Sequence, residues 1–253
     1  MRTIVLFLIL LGCGTSHITA QNDYLVTTIP NQEDPLSEEE QFIKENFPLQ
    51  LLCKWTPGMK FMFIPSGRDM FLPTLSVYET EKGADNSVLK HKILTFAGYE
   101  EKSQKLSNDM SYSTRLIFEC DGEKYYYEIK NTRPDEICEK NPRAYINGLV
   151  NLKDVDTAKD LLRGRKIYVQ SDMAQVDDAN SYSGYREVSI PVNTEATITA
   201  IGVGSQAYPV KIIFQDSQGH TYYLEVALSR TNSGMDVSDC LLYTSPSPRD
   251  MRR

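Results

Sequence analysis

Apolar and polar positions along the chain repeat one pattern twice. Arg115 to Ile129 reads R-L-I-F-E-C-D-G-E-K-Y-Y-Y-E-I, and Lys211 to Val226 reads K-I-I-F-Q-D-S-Q-G-H-T-Y-Y-L-E-V. In each stretch two runs rich in β-branched and aromatic residues flank a short polar turn. The turn holds Gly122 or Gly219 where a tight reversal needs positive φ, which predicts a β-hairpin. Aligned on those glycines, Phe118 answers Phe214, Tyr125 and Tyr126 answer Tyr222 and Tyr223, Glu128 answers Glu225, and Ile129 answers Val226. That is an internal repeat. Alternation along a strand puts Tyr125 and Tyr127 on one face and Tyr126 on the other.

The segments before each hairpin also correspond. Ser37-Glu38-Glu39-Glu40 reads as a capping box opening a short helix that Pro48 closes, with Ile43 and Phe47 sharing a face. A weaker version precedes the second hairpin, with Asp154 or Asp156 as cap, Ala158, Leu161 and Leu162 as the apolar face, and Gly164 just beyond its end. Gly58 to Ile64 and Gly164 to Val169 then read as first strands, followed by loops holding Asp69-Met70 and Asp172-Met173. Val88 to Tyr99 and Val188 to Val203 read as middle strands, and the polar stretch Lys102 to Asp109 as a surface loop. Asn131 to Asn151, with Pro134, Pro142 and Gly148, lacks a sustained period and reads as the connector. The expectation is a mainly β protein of two tandem units of about five short strands each, at the spacing of a small sandwich or barrel, each preceded by a short helix. The units are placed at 37–139 and 150–233, with 140–149 between them.

A short helix, a G-x-K strand, an S-D-M loop and a strand-Gly-strand hairpin, in tandem behind a leader, resemble the SH3-like small-barrel modules of secreted proteins from Gram-negative gut bacteria, which implies two tandem small SH3-like barrels. The resemblance spans residues 50 to 230. It implies the fold and an extracytoplasmic role, and it transfers no catalytic residue.

The leader is Arg2, the apolar run Ile4 to Leu11, and a polar stretch ending Ile18-Thr19-Ala20, the layout of a secretory signal over residues 1–20. Leu10-Leu11-Gly12-Cys13 also resembles a bacterial lipobox, in which Cys13 would carry a lipid. The first reading gives a periplasmic or secreted protein, the second an outer-membrane lipoprotein. Residues 21–36 mix Asn, Thr, Pro and acids without a period and read as a flexible lead-in. At the other end, Cys240 to Asp250 reads C-L-L-Y-T-S-P-S-P-R-D and resembles one frame of a sequencing-library adapter, so residues 240–253 read as a non-native tail. The expectation that follows is a natural chain continuing past about Asp239. The formal charge is −7; without residues 1–20 and 240–253 it is 23 basic against 33 acidic residues, or −10. An acidic body with no basic stripe argues against nucleic acid and against electrostatic binding to anionic membranes.

Candidate chemistry is sparse. Outside the leader and the tail, three cysteines remain: Cys53, Cys120 and Cys138. Cys53 precedes the first strand of unit one and Cys138 follows its last, so these two are expected to form a disulfide and Cys120 to sit as a small apolar residue. Only His91 and His220 lie in the two units, and neither stands in a motif, so no thiol nucleophile has its base. Asp172, Asp177 and Asp178 lack the glycine and distal glutamate of a calcium loop. No paired-carboxylate, nucleophile-elbow or phosphate-cradle motif is present. The reading is therefore a non-enzymatic binding protein without cofactor or metal, whose partners are a peptide, a glycan or an envelope protein. Two rivals stand beside it: targeting modules of a cell-wall hydrolase whose catalytic domain lies beyond Asp239, and a structural spacer. The candidate binding residues are Asp69, Tyr125 and Tyr127 in unit one and Asp172 and Tyr222 in unit two, as acidic and aromatic groups bordering equivalent shallow grooves.

Overall fold

The computed structural model describes residues 38–65, 72–106, 109–169, 172–178, 180, 184–228 and 242–243. The leader, the lead-in, the cap residue Ser37, Asp69 and most of the tail lie outside them. The chain opens with α1 (Glu38–Asn46) and a 3-10 turn at Leu52–Lys54, then β1 (Lys60–Phe63), β2 (Ser76–Val77), α2 (Asn86–Leu89) and the long pair β3 (Ile93–Leu106) and β4 (Asp109–Cys120). It continues through β5 (Glu123–Lys130), α3 (Ile137–Lys140), β6 (Leu149–Asn151) and α4 (Leu152–Leu162). The second set is β7 (Lys166–Val169), β8 (Met173–Asp177), β9 (Tyr185–Ser189), β10 (Thr194–Val203), β11 (Val210–Asp216) and β12 (Thr221–Val226), with β13 (Leu242–Tyr243) in the tail. The strands form two antiparallel sheets, ordered β2-β5-β4-β3-β1-β6 and β13-β7-β10-β11-β12-β8-β9. The protein is mainly β, in two tandem barrel-like modules, as the pattern predicts.

The repeat is carried in the register. Phe118 lies opposite Tyr125 and Phe96 in the first sheet, and Phe214 opposite Tyr222 and Ile198 in the second. Each β3-type strand has its irregularity at the same place, between Phe96 and Gly98 and between Ile198 and Ala200. A bulge there adds one residue and sharpens the local twist, which curls a flat sheet toward closure. The same pair of bonds precedes both bulges: Gly58 N donates to Phe96 O at 2.8 Å, and Gly164 N to Ile198 O at 2.9 Å. Both glycines are at positive φ. Even the corner before β3 recurs before β10, His91 N at φ 62 donating to Phe63 O and Asn193 N at φ 67 donating to Val169 O.

Several segments depart from expectation for local reasons. Six and seven strands replace about five, because β6 adds to β1 in the first sheet, while in the second the hairpin β8–β9 forms fully and β13 adds to β7. β6 thus carries the first module into the expected connector, through Asn151. Val88–Leu89 is helical, not strand, since the Asp85 side chain accepts from Ser87 N at 2.8 Å and caps α2. Lys102 to Leu106 extends the β3–β4 ladder instead of looping, pairing with Asp109 to Ser113: its Lys, Ser and Gln residues lack a Pro or Gly to break the pairing. The cap of α4 is Asn151, accepting from Lys153 N, in place of Asp154 or Asp156. Asp154 is buried within that helix.

The described residues form two cores. The first gathers Leu52, Trp55, Phe61, Phe63, Phe96, Phe118 and Tyr125. Trp55 sits 4.3 Å from Phe61 between ring centroids and meets Phe96 and Phe118 edge-on. The second joins Val155, Ala158, Ile167, Ile198, Ile212, Phe214 and Leu224, and it includes Ile43 and Phe47 of α1. The helix expected to open unit one therefore packs into the second core. Leu52 and Trp55 already fill the first core, whereas α4 buries Val155 and Ala158 in the second and leaves Leu161 and Leu162 only partly buried against it. Cys53 and Cys138 form a disulfide, 5.2 Å between Cα atoms, tying the 3-10 turn to α3 across 85 residues. Cys120 is free and buried in the first core, and burial pushes its thiol pKa up.

Candidate functional site

Strand alternation sends one face of each hairpin inward. Tyr125 is 6% exposed, packs in the first core, and donates its hydroxyl to Glu123 Oε2 at 2.6 Å; burial pushes its pKa up to about 12. Tyr127 is half-buried against the same core, its hydroxyl accepting from Arg143 Nη1 at 3.4 Å. Tyr222 stacks on Phe214 at 5.8 Å on the inner side of the second module. Asp172 is exposed just before β8, its carbonyl accepting from Ile190 N. Tyr125, Tyr127 and Tyr222 thus face the cores. Packing decides this, because a tyrosine fits a barrel interior as long as its hydroxyl finds a partner at the rim.

The open surface is on the other face. In the second module a groove of about 830 Å³ is bordered by Asp177, Tyr185, Tyr208, Lys211, Tyr223 and Glu225. Three elements supply them. The hairpin β8–β9 pairs Asp177 with Tyr185, β11 and β12 pair Lys211 with Glu225, and the reversal between β10 and β11 presents Tyr208. Lys211 Nζ lies 3.4 Å from the centre of the Tyr223 ring and 3.5 Å from Asp177 Oδ1. An ammonium over an aromatic face is held by the ring quadrupole, more strongly where water is partly excluded. Burial, with the Asp177 and Glu225 carboxylates nearby, pushes the Tyr223 hydroxyl up to about 12, so the ring stays neutral at physiological pH. Tyr208 is 40% exposed and offers its ring to solvent.

The reversal is built to be tight. Gly204 N donates to Pro209 O at 2.9 Å, Ser205 N to Glu225 Oε2 at 3.1 Å, and Tyr208 N to Ser205 Oγ at 3.3 Å. A Cβ on Gly204 would fall 2.2 Å from Tyr208 O and 3.3 Å from Glu225 Cδ. Only glycine lets the loop approach the strand so closely.

The matching face of the first module carries the same chemistry under cover. Arg115 and Tyr126 hold the positions of Lys211 and Tyr223, and the guanidinium lies 4.1 Å over the Tyr126 ring. Above it the turn after β2 brings Glu81, whose Oε1 accepts from Arg115 Nη2 at 2.7 Å and from Lys102 Nζ at 2.8 Å. Tyr78 donates to Glu100 Oε2 at 2.7 Å and sits 6.4 Å from Tyr126, edge-on. Arg115 is left 5% exposed. Sequence reasoning passed over this pair, although a basic residue three positions before the hairpin phenylalanine recurs in both stretches. Among the described residues no group of three or more His, Cys, Asp or Glu side chains is placed to hold a metal ion, and no helix is long and apolar enough to cross a membrane. Comparisons with protein-family models, curated proteins and solved structures find no significant match for the chain.

Proposed function

We propose that this is a non-enzymatic, secreted or envelope-associated binding protein whose second module takes a peptide or glycan segment in the groove between the β8–β9 hairpin and the Gly204–Pro209 reversal. The observation that carries the reading is the convergence of Tyr185, Tyr208 and Tyr223 with Lys211, Asp177 and Glu225 in one concave surface. Aromatic rings supply contact area at low entropic cost, and the few charged groups orient the ligand. The groove is shaped by loops on a rigid sheet, the usual seat of recognition. The leader at residues 1–20 supports the location.

Selection from a displayed peptide library, beside a glycan array, tests this with the wild-type protein and a Tyr185→Ala/Tyr208→Ala double variant. A peptide or glycan held by the wild type should bind the variant at least about tenfold more weakly, an anchor loss of ~1.4 kcal/mol. Thermal unfolding of the variant should match the wild type. Failure of both libraries to yield a ligand, or ligands indifferent to the double substitution, overturns the reading in favour of a spacer.

A further inference from the structure

We propose that the first module holds a second ligand site, a carboxylate slot on the Nε–Nη2 edge of Arg115 backed by Lys102, which Glu81 fills in this structure. Arg115 is buried, yet among the described residues its Nε has no hydrogen-bond partner. Buried donors are ordinarily satisfied, so one left over beside an ion pair marks an incomplete arrangement. The planar guanidinium presents Nε–H and one Nη2–H in parallel, at the spacing of the two oxygens of a carboxylate. Glu81 engages that edge at Nη2 alone and shares the same oxygen with Lys102. A carboxylate bridging Nε and Nη2 satisfies both donors, which the present contact does not.

Access does not require unfolding. The turn's backbone is tied down, Glu81 N donating to Val77 O at 2.9 Å, Val77 N to Lys82 O at 2.8 Å and Tyr78 N to Lys124 O at 2.9 Å. The Glu81 side chain, by contrast, is half exposed at 53% and is free to swing outward on a fixed backbone. Glu81 itself is held at φ 57, a conformation that disfavours residues with a Cβ, so the turn is shaped to deliver this one side chain to Arg115. Lys102, at 35% side-chain exposure, remains to meet an incoming group. Two further carboxylates face the slot: Glu100, which accepts from Tyr78, and Glu128, which accepts from Ser113 at 2.8 Å. Their charge favours a single monoanionic carboxylate over phosphate. The ring of Tyr126 behind the guanidinium fixes its plane, so the edge is preorganised.

The test follows the side-chain Nε–Hε resonance of Arg115 in the ¹⁵N-labelled full chain, assigned by its loss in Arg115→Lys. Two probes separate the sources of a carboxylate: N-acetylglutamate α-amide for an acidic side chain and N-acetylalanine for a chain terminus. N-acetylglutamine amide is the neutral control, and inorganic phosphate the dianionic one. In Glu81→Ala at least one carboxylate probe should shift the resonance saturably, with an affinity at least about tenfold higher than in the wild type. Glu81→Gln, which keeps the side chain's length, is read the same way and serves if Glu81→Ala loses its native amide spectrum. An unmoved resonance in both variants overturns the proposal. So does an equal response to the neutral control or to phosphate, or an equal affinity in wild type and variants.

Discussion

In the first module Arg115 lies on Tyr126 beneath the turn that carries Tyr78 and Glu81, whereas in the second Lys211 lies on Tyr223 at the floor of an open groove. The sheets beneath are in matching register, so the difference arises in what the flanking segments bring. Glu100, opposite Arg115, anchors Tyr78; its counterpart opposite Lys211 is Gly202, which offers no anchor. The β3–β4 ladder runs on to Leu106, while β10 ends at Val203 and turns at Gly204. Arginine and lysine suit these two settings: a planar fork stacks and pairs under cover, and a flexible ammonium serves an open, wet site. One architecture thus yields a closed face and an accessible one through a handful of residues that leave the core untouched.

The largest expected effect concerns the covalent tie that only the first module has. Replacing Cys53 and Cys138 by Ala frees a loop closed across 85 residues and should cost about 4.5 kcal/mol on the chain-entropy account. Chemical denaturation should then show the first module unfolding earlier, while hydrogen exchange in β10–β12 stays near the wild-type level. Simultaneous loss of both modules would show that their cores unfold as one. Next in size, Arg115→Ala removes a buried stem, its stacking on Tyr126 and the Glu81 pair, for about 2 kcal/mol, while Lys211→Ala should cost under ~1 kcal/mol. Equal losses at the two positions, measured by urea unfolding, would erase the contrast between closed and open faces.

Much of this fold was legible because a repeat states its pattern twice. The hairpins, Phe118 matching Phe214, and the first strands after Gly58 and Gly164 all follow from two glycine-centred alignments. The allegiance of α1 was not, since Ile43 and Phe47 define an apolar face but nothing in their spacing names the core it enters. The direction in which the tyrosines face was not legible for a related reason. Alternation separates Tyr125 and Tyr127 from Tyr126, yet it does not say which face is interior, and tyrosine is at home on either. The informative residues were the cations: Arg115 and Lys211 alternate with the core positions Leu116 and Ile212, and a charge on a strand marks the outward face.

The tight reversal offers a way to disturb the open face alone. Gly204→Ala places a Cβ against the Tyr208 carbonyl, a backbone atom that cannot step aside, and should cost roughly 1–2 kcal/mol by overpacking. It should also shift Tyr208 and the Ser205–Glu225 contact, weakening any ligand of the groove more than it weakens the fold. Lys102 occupies the corresponding place in the first module, where the ladder continues, so Lys102→Ala should leave backbone amide shifts of that strand nearly unchanged. A Gly204→Ala variant with native stability and unaltered Tyr208 resonances would show that the loop has another way to close.

The smallest effect is read in acid. Hydrogen bonds from Lys102 and then from Arg115 hold the Glu81 carboxyl down at about 2, well below its ordinary value of 4.5. A depressed folded-state pKa stabilises the fold above the unfolded value, and that contribution is lost as pH falls through the folded one. Wild type and Glu81→Gln should therefore differ most in stability above about pH 4.5 and converge as the pH approaches 2. The difference should be small, because the carboxylate is largely solvated and surface pairs contribute little. It should shrink further at high salt, where Lys102 is screened more than the buried Arg115. Urea unfolding of both proteins at pH 7, 4 and 2.5 measures it. A gap that persists undiminished at the lowest pH would mean that Glu81 acts through its packing in the turn, and that the first module is closed by shape where charge was assigned the part.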